Sequence, residues 1–174
     1  MFADVQINSK ILRNRNVIFL DVDGVLHPFH SHIAESQLDN FHESCMHALK
    51  RLVLETGADI VLSTSWRNFE STRNLLRDNL ARYNMSFVGW IEPDDAASAK
   101  TSSHKKLSKI LAFVHAHHPA EWIVLDDEDL VNLSGENPSS MMTQLFASRF
   151  VRTDPQTGLT DRDVDLAIQI INSD

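Results

Sequence analysis

Short unbroken apolar runs alternate along this chain with longer stretches in which apolar residues recur every three or four positions, which predicts strands and helices in turn. Val17-Ile18-Phe19-Leu20 reads as a strand buried on both faces. From Ser36 to Thr56, Leu38, Phe41, Cys45, Leu49, Leu52 and Val53 share one helical face, and Gly57 is placed to cap its end. Asp59-Ile60-Val61-Leu62 is a second short strand, and a helix over Asn68 to Tyr83 is expected to bury Phe69, Leu75, Leu76 and Leu80. A third strand covers Phe87 to Ile91. Ser102 or Ser103 then caps a helix whose stripe is Leu107, Ile110, Leu111 and Val114. Trp122 to Leu125 is the fourth strand, followed by a short helix near Met141 to Ala147 and a brief strand, Arg149-Phe150-Val151. Thr160-Asp161-Arg162-Asp163 resembles a capping box that opens a last helix with Val164, Ala167, Ile168 and Ile171 inward.

This order predicts an α/β fold: a parallel sheet of about five strands, helices on both faces and right-handed crossovers, a three-layer Rossmann-like arrangement. The 174 residues are most simply a single domain, 1–174, with an irregular N-terminal segment over 1–16. Hydrophobic residues make up 43% and charged ones 23%, enough apolar content for a core without disulfides. The one cysteine, Cys45, falls on the apolar helix face and has no internal partner, so nothing calls for an oxidising compartment. No apolar run approaches the ~20 residues of a membrane span, and the first residues have no basic start or apolar core of a signal peptide. A cytoplasmic protein with no membrane partner is expected. The formal net charge of −8 weighs against a broad electrostatic grip on nucleic acid.

The first strand runs straight into Asp21-Val22-Asp23-Gly24. Side chains alternate along a strand, so the two carboxylates point the same way and repel unless a cation or a shared proton intervenes. Magnesium is the simplest remedy, and it would let one carboxylate attack a phosphoester while the other moves a proton. The fourth strand also ends in acid, Asp126-Asp127-Glu128-Asp129. Asp126 is expected to share the ion and Asp127 to support it, with Glu128 and Asp129 solvated. The second strand delivers Ser63-Thr64-Ser65-Trp66-Arg67, hydroxyls and a guanidinium ahead of a helix, which suits a phosphoryl group. Lys105 and Lys106 sit in the first turn of a helix, where a cation is unfavourable unless it meets an anion. His27, His30 and His32 lie in a loop over the acidic turn with no cysteine partner or helical spacing, so they face substrate or solvent rather than zinc. Trp66 and Trp90 border the cleft or simply pack.

The segments Asp21-Val-Asp23-Gly-Val, the hydroxyl-bearing end of the second strand, a lysine before the fourth strand and Asp126-Asp127 together resemble the haloacid dehalogenase (HAD) superfamily, in its phosphatase-like branch. The resemblance implies that Asp21 is the nucleophile forming an aspartyl-phosphate and that Asp23 is the acid/base. It implies magnesium held by Asp21, the backbone carbonyl of Asp23 and Asp126, beside Asp127. Thr64 and a lysine would grip phosphoryl oxygens. Ser63, Thr64 and Ser65 all remain candidates, as do Lys105 and Lys106; Thr64 and Lys106 are preferred, and Arg67 is a further phosphate candidate. More narrowly, S-T-S-W-R, L-D-D-E and R-T-D-P-x-T-G-L-T look like the small capless HAD domain of Swiss army knife RNA repair proteins.

That resemblance implies a magnesium-dependent phosphatase with an open site, acting on nucleotides, phosphorylated nucleic-acid ends or another phosphomonoester. Two other classes share the acids: a receiver-like phosphate-binding module, and an interaction protein that keeps only the fold. Asp23 argues against both, because binding alone needs no second acid at that spacing.

Overall fold

The computed structural model describes residues 12–29, 41–92, 102–133 and 140–173. Its centre is a five-stranded sheet in the order β3-β2-β1-β4-β5, all neighbours parallel. The strands are β1 (Val17–Leu20), β2 (Asp59–Leu62), β3 (Phe87–Trp90), β4 (Trp122–Asp126) and β5 (Phe150–Arg152). The helices are α1 (Glu43–Thr56), α2 (Glu70–Arg82), α3 (Ser102–His117), α4 (Leu130–Leu133), α5 (Met141–Ser148) and α6 (Asp161–Asn172). Each crossover carries a helix, as parallel pairing requires.

Strand alternation divides the core into two layers. Ile18, Leu20, Ile60, Leu62, Ile123 and Leu125 pack with Cys45, Leu49 and Leu52 of α1, Leu76 and Leu80 of α2, and Val164, Ala167 and Ile171 of α6. Val17, Phe19, Val61, Trp122 and Val124 meet Leu107, Ile110 and Phe113 of α3, Leu130 of α4 and Phe146 of α5. Phe19 sits edge-on to Phe113 and Trp122, at centroid distances of 5.3 and 6.1 Å. The register then decides what lies at the carboxyl edge. Leu20 is level with both Leu62 and Leu125, so Asp21, Ser63 and Asp126 leave the sheet side by side. Asp21 continues the parity of Val17 and Phe19, and Asp126 that of Trp122 and Val124; both face α3.

Several boundaries differ from expectation. The first helix is described from Glu43; Phe41 is buried ahead of it, and Leu38 lies outside the described residues. The expected single helix over 68–83 is a 3₁₀ turn, Ser65–Asn68, followed by α2, because Phe69 between them is extended at φ −121° and ψ 140°. That break turns Phe69 outward to 66% exposure rather than into the core, and Leu75 is half-buried. Ile168, Leu111 and Val114 pack at the core's edge, while Phe113, unassigned from the pattern, is buried. Gly57 does cap α1, in a left-handed conformation at φ 60°, and the Thr160–Asp163 capping box forms in full. Residues 21–42 and 91–101, which join β1 to α1 and β3 to α3, are each too short for a separate cap domain.

Candidate active site

Because β1 and β4 are adjacent and in register, their terminal acids meet. Carboxylate oxygens of Asp21, Asp126 and Asp127 lie within 4.8 Å of one another. Asp126 is fully buried and Asp21 nearly so, at 7% exposure. The first turn of α3 supplies the nearest cation: Lys106 Nζ is 2.7 Å from Asp126 Oδ2 and 3.5 Å from Asp21 Oδ2. The second oxygen of Asp126 accepts from the Glu128 N–H at 3.0 Å. Lys105, its neighbour, is half-buried on another face of the helix turn.

One ammonium does not balance three carboxylates. Burial pushes Asp21 up to about 7; Lys106 opposes that rise and Asp126 reinforces it. Burial raises Asp126 as well, again against Lys106, and it raises the half-buried Asp127. Burial alone would lower Lys106, but Asp21 and Asp126 outweigh it and hold the lysine charged. Carboxylates kept from full ionisation by burial, with like charge adding to it, are the electrostatic condition under which a divalent cation binds well. All the donors are hard oxygens, which fits magnesium or calcium rather than a softer metal. Gly24 lets the turn pass close to Asp127: at φ 72°, its missing Cβ would stand 2.4 Å from Asp127 Cγ. The residues therefore fit a hard divalent ion.

Asp23 takes a different direction. Its side chain is outside the carboxylate group and 40% exposed; its Oδ2 accepts from the Trp66 indole N–H at 2.9 Å, and its Oδ1 lies 3.5 Å from His27 Nδ1. His27 returns to the turn through its backbone, accepting from the Gly24 N–H and donating to Val22. Its Nε2 is buried without a hydrogen-bond partner among the described residues. His30 and His32 lie outside the described residues.

The hydroxyls after β2 separate into distinct roles. Thr64 is buried, donates to Asp21 and accepts from the Trp66 N–H at 3.3 Å. Ser63 Oγ is buried with no hydrogen-bond partner among the described residues, and Ser65 is exposed at the start of the 3₁₀ turn. Arg67 departs from the expected phosphate contact. Only 3% exposed, it donates to the carbonyls of Ser63, Thr64 and Glu92, so its charge braces the turn from behind. Asp129 is not merely solvated: it accepts from Asn132 and sits 3.4 Å from Arg152, and these hold it below the usual carboxylate range.

The C-terminal motif closes on the acidic turn. Thr153 Oγ1 donates to the Gly24 carbonyl at 2.9 Å, the Leu159 N–H to Val25 at 2.8 Å, and Arg152 Nε to the Asp127 carbonyl at 3.0 Å. The sequence places Trp66 at the cleft border or in packing and His27 in a loop facing substrate or solvent, neither with a partner, and gives Thr153 no role of its own. Their sequence signal was proximity to the motifs alone.

Among known proteins, a family model described as the HAD domain in Swiss Army Knife RNA repair proteins matches residues 17–164. No curated protein and no solved structure matches the chain.

Proposed function

This chain belongs to the family of HAD domains found in Swiss Army Knife RNA repair proteins, and from that premise we propose that it is a magnesium-dependent phosphohydrolase working through a phosphorylated Asp21. The observation that carries the reading is the meeting of Asp21 and Asp126 across β1 and β4, with Asp127 and Lys106 beside them. Magnesium held by Asp21, Asp126, Asp127 and the backbone carbonyl of Asp23 would neutralise the carboxylates and the incoming phosphoryl oxygens. Asp21 attacks phosphorus as the leaving oxygen departs with the Asp23 proton. Asp23 then takes a proton from the water that displaces phosphate from Asp21, and both acids are restored. Lys106 and Thr64 face Asp21 and counter the charge that develops on the transferring group.

The substrate is a phosphomonoester. The short β1–α1 and β3–α3 joins favour one presented on a large molecule, and the family's description favours a nucleic-acid end over a free nucleotide. The net charge of −8 confines any nucleic-acid contact to a small area. Among the described residues no helix is long and apolar enough to cross a membrane. The test is phosphate release from aryl phosphates, mononucleotides and 5′- or 3′-phosphorylated oligonucleotides with magnesium or with chelator. Multiple turnovers that need magnesium and vanish in Asp21→Asn support the reading. Stoichiometric phosphorylation without turnover would instead indicate a receiver-like module.

A further inference from the structure

We propose that Trp66 is the positioning residue for the acid/base Asp23, its indole N–H fixing one carboxylate oxygen so that the other carries the proton. The inference rests on the phosphohydrolase reading and adds a role to it. The 2.9 Å bond from Trp66 Nε1 to Asp23 Oδ2 joins the turn after β2 to the turn after β1. Trp66 is itself held at three points: its N–H bonds to Thr64 Oγ1, its carbonyl accepts from Thr72 Oγ1 at 2.5 Å, and its ring lies 5.5 Å from that of Phe41. Thr64 in turn reaches Asp21. A single turn therefore addresses both aspartates, one residue to each.

The donor's chemistry suits the task. Indole has one N–H and no acceptor, so Oδ2 stays an acceptor whether Asp23 is protonated or not, and the bond persists through the catalytic cycle. Oδ1 is left to work. His27 Nδ1, at 3.5 Å, is beyond normal hydrogen-bond length, so among the described residues that oxygen carries no hydrogen bond of ordinary length. In the first half-reaction the proton on Oδ1 passes to the leaving oxygen while the P–O bond breaks toward that oxygen and Asp21 gains the phosphoryl group. In the second, Oδ1 takes a proton from water as the water oxygen bonds to phosphorus and the Asp21–phosphorus bond breaks. The tether also keeps Asp23 apart from the three carboxylates, where it would become one more metal ligand.

The experiment compares Trp66→Phe with wild type on two aryl phosphates: phenyl phosphate, whose leaving group needs a proton, and 2,4-dinitrophenyl phosphate, whose leaving group does not. Asp23→Asn serves as the reference. The expected result is a loss in kcat of about 10- to 100-fold on phenyl phosphate, with KM little changed and the dinitrophenyl ester within about threefold of wild type. Equal losses on both esters, or none on either, overturn the assignment of Trp66 alone, provided Asp23→Asn shows the leaving-group dependence. Absence of that dependence in Asp23→Asn, or an inactive wild type, overturns the phosphohydrolase reading and this inference with it. Should Trp66→Phe fail to fold, nitrogen-15 spectra of the otherwise native protein carry the test: one of the three indole N–H resonances must move in Asp23→Ala. An unchanged indole spectrum overturns the proposal.

Discussion

Lys106 and Asp126, twenty residues apart in the chain, share a hydrogen bond of 2.7 Å in which the acceptor is fully buried. The contact exists because α3 covers the sheet face to which Asp126 and Asp21 both turn. Replacing Lys106 by Met removes a cation seated between two buried carboxylates. Breaking a buried pair in this way costs about 3–5 kcal/mol, much of it from the acids left facing each other. Urea denaturation of Lys106→Met without metal should show a loss of that size, and added magnesium should recover part of it. A loss under about 1 kcal/mol would mean that the lysine is dispensable to the acid pair.

Stability without metal should fall as pH rises from about 4 to about 7. Burial raises Asp21 from 3.8 to about 7, and Asp126 is raised too. Between those pH values the folded protein holds protons that the unfolded chain has released, so raising the pH draws the equilibrium toward unfolding. The slope has a ceiling of about 1.4 kcal/mol per pH unit for each proton and flattens above pH 7. Magnesium binds the ionised form, so it should remove the slope, and its affinity should rise across the same window. Thermal melts from pH 4 to 8, with and without magnesium, check both. Metal-free stability that climbs with pH contradicts the arrangement.

The acids were legible in the sequence because an apolar run that ends in carboxylates is locally anomalous; Asp21 and Asp126 announce themselves without neighbours. Lys106 was nearly so, since its spacing to Ile110 and Val114 places it on the stripe that packs inward. Trp66 was not. Its bond to Asp23 depends on β1 and β2 ending level, Leu20 beside Leu62, and no local pattern encodes that register. Arg67 misled for a related reason: a guanidinium after a strand serves a phosphate or backbone carbonyls equally well, and burial decides between them. Phe69 looked inward only while residues 68–83 were read as one continuous helix.

Two glycines with the same backbone hand should respond differently to alanine. Gly57, at φ 60°, has open space where a Cβ would go, so Gly57→Ala should cost about 1 kcal/mol of stability and leave turnover intact. Gly24, at φ 72°, would drive its Cβ to within 2.4 Å of Asp127 Cγ, a group too short to swing aside while keeping its place near Asp21. Gly24→Ala should therefore lose stability and also weaken magnesium binding, read by calorimetric titration. Equal metal affinity in the two variants would separate Asp127 from the metal site.

Asp21→Asn tests whether the buried acid is retained for chemistry rather than for the fold. The wild-type carboxylate is 7% exposed, faces Asp126, and is raised to about 7, so ionising it in the metal-free protein costs folding free energy. Asparagine keeps the shape and carries no charge. In chelator at pH 8 the variant should be more stable than wild type by about 1–4 kcal/mol, with the gain shrinking toward pH 4, where the wild-type acid is protonated. Turnover should fall at least about a thousandfold, because asparagine cannot accept the phosphoryl group in the proposed role of Asp21. The two outcomes bind together: a residue that destabilises the empty fold and is indispensable to turnover is held there by function. A variant less stable than wild type at pH 8 would show that Asp21 is a structural partner of Lys106, and full turnover would show that it is not the nucleophile.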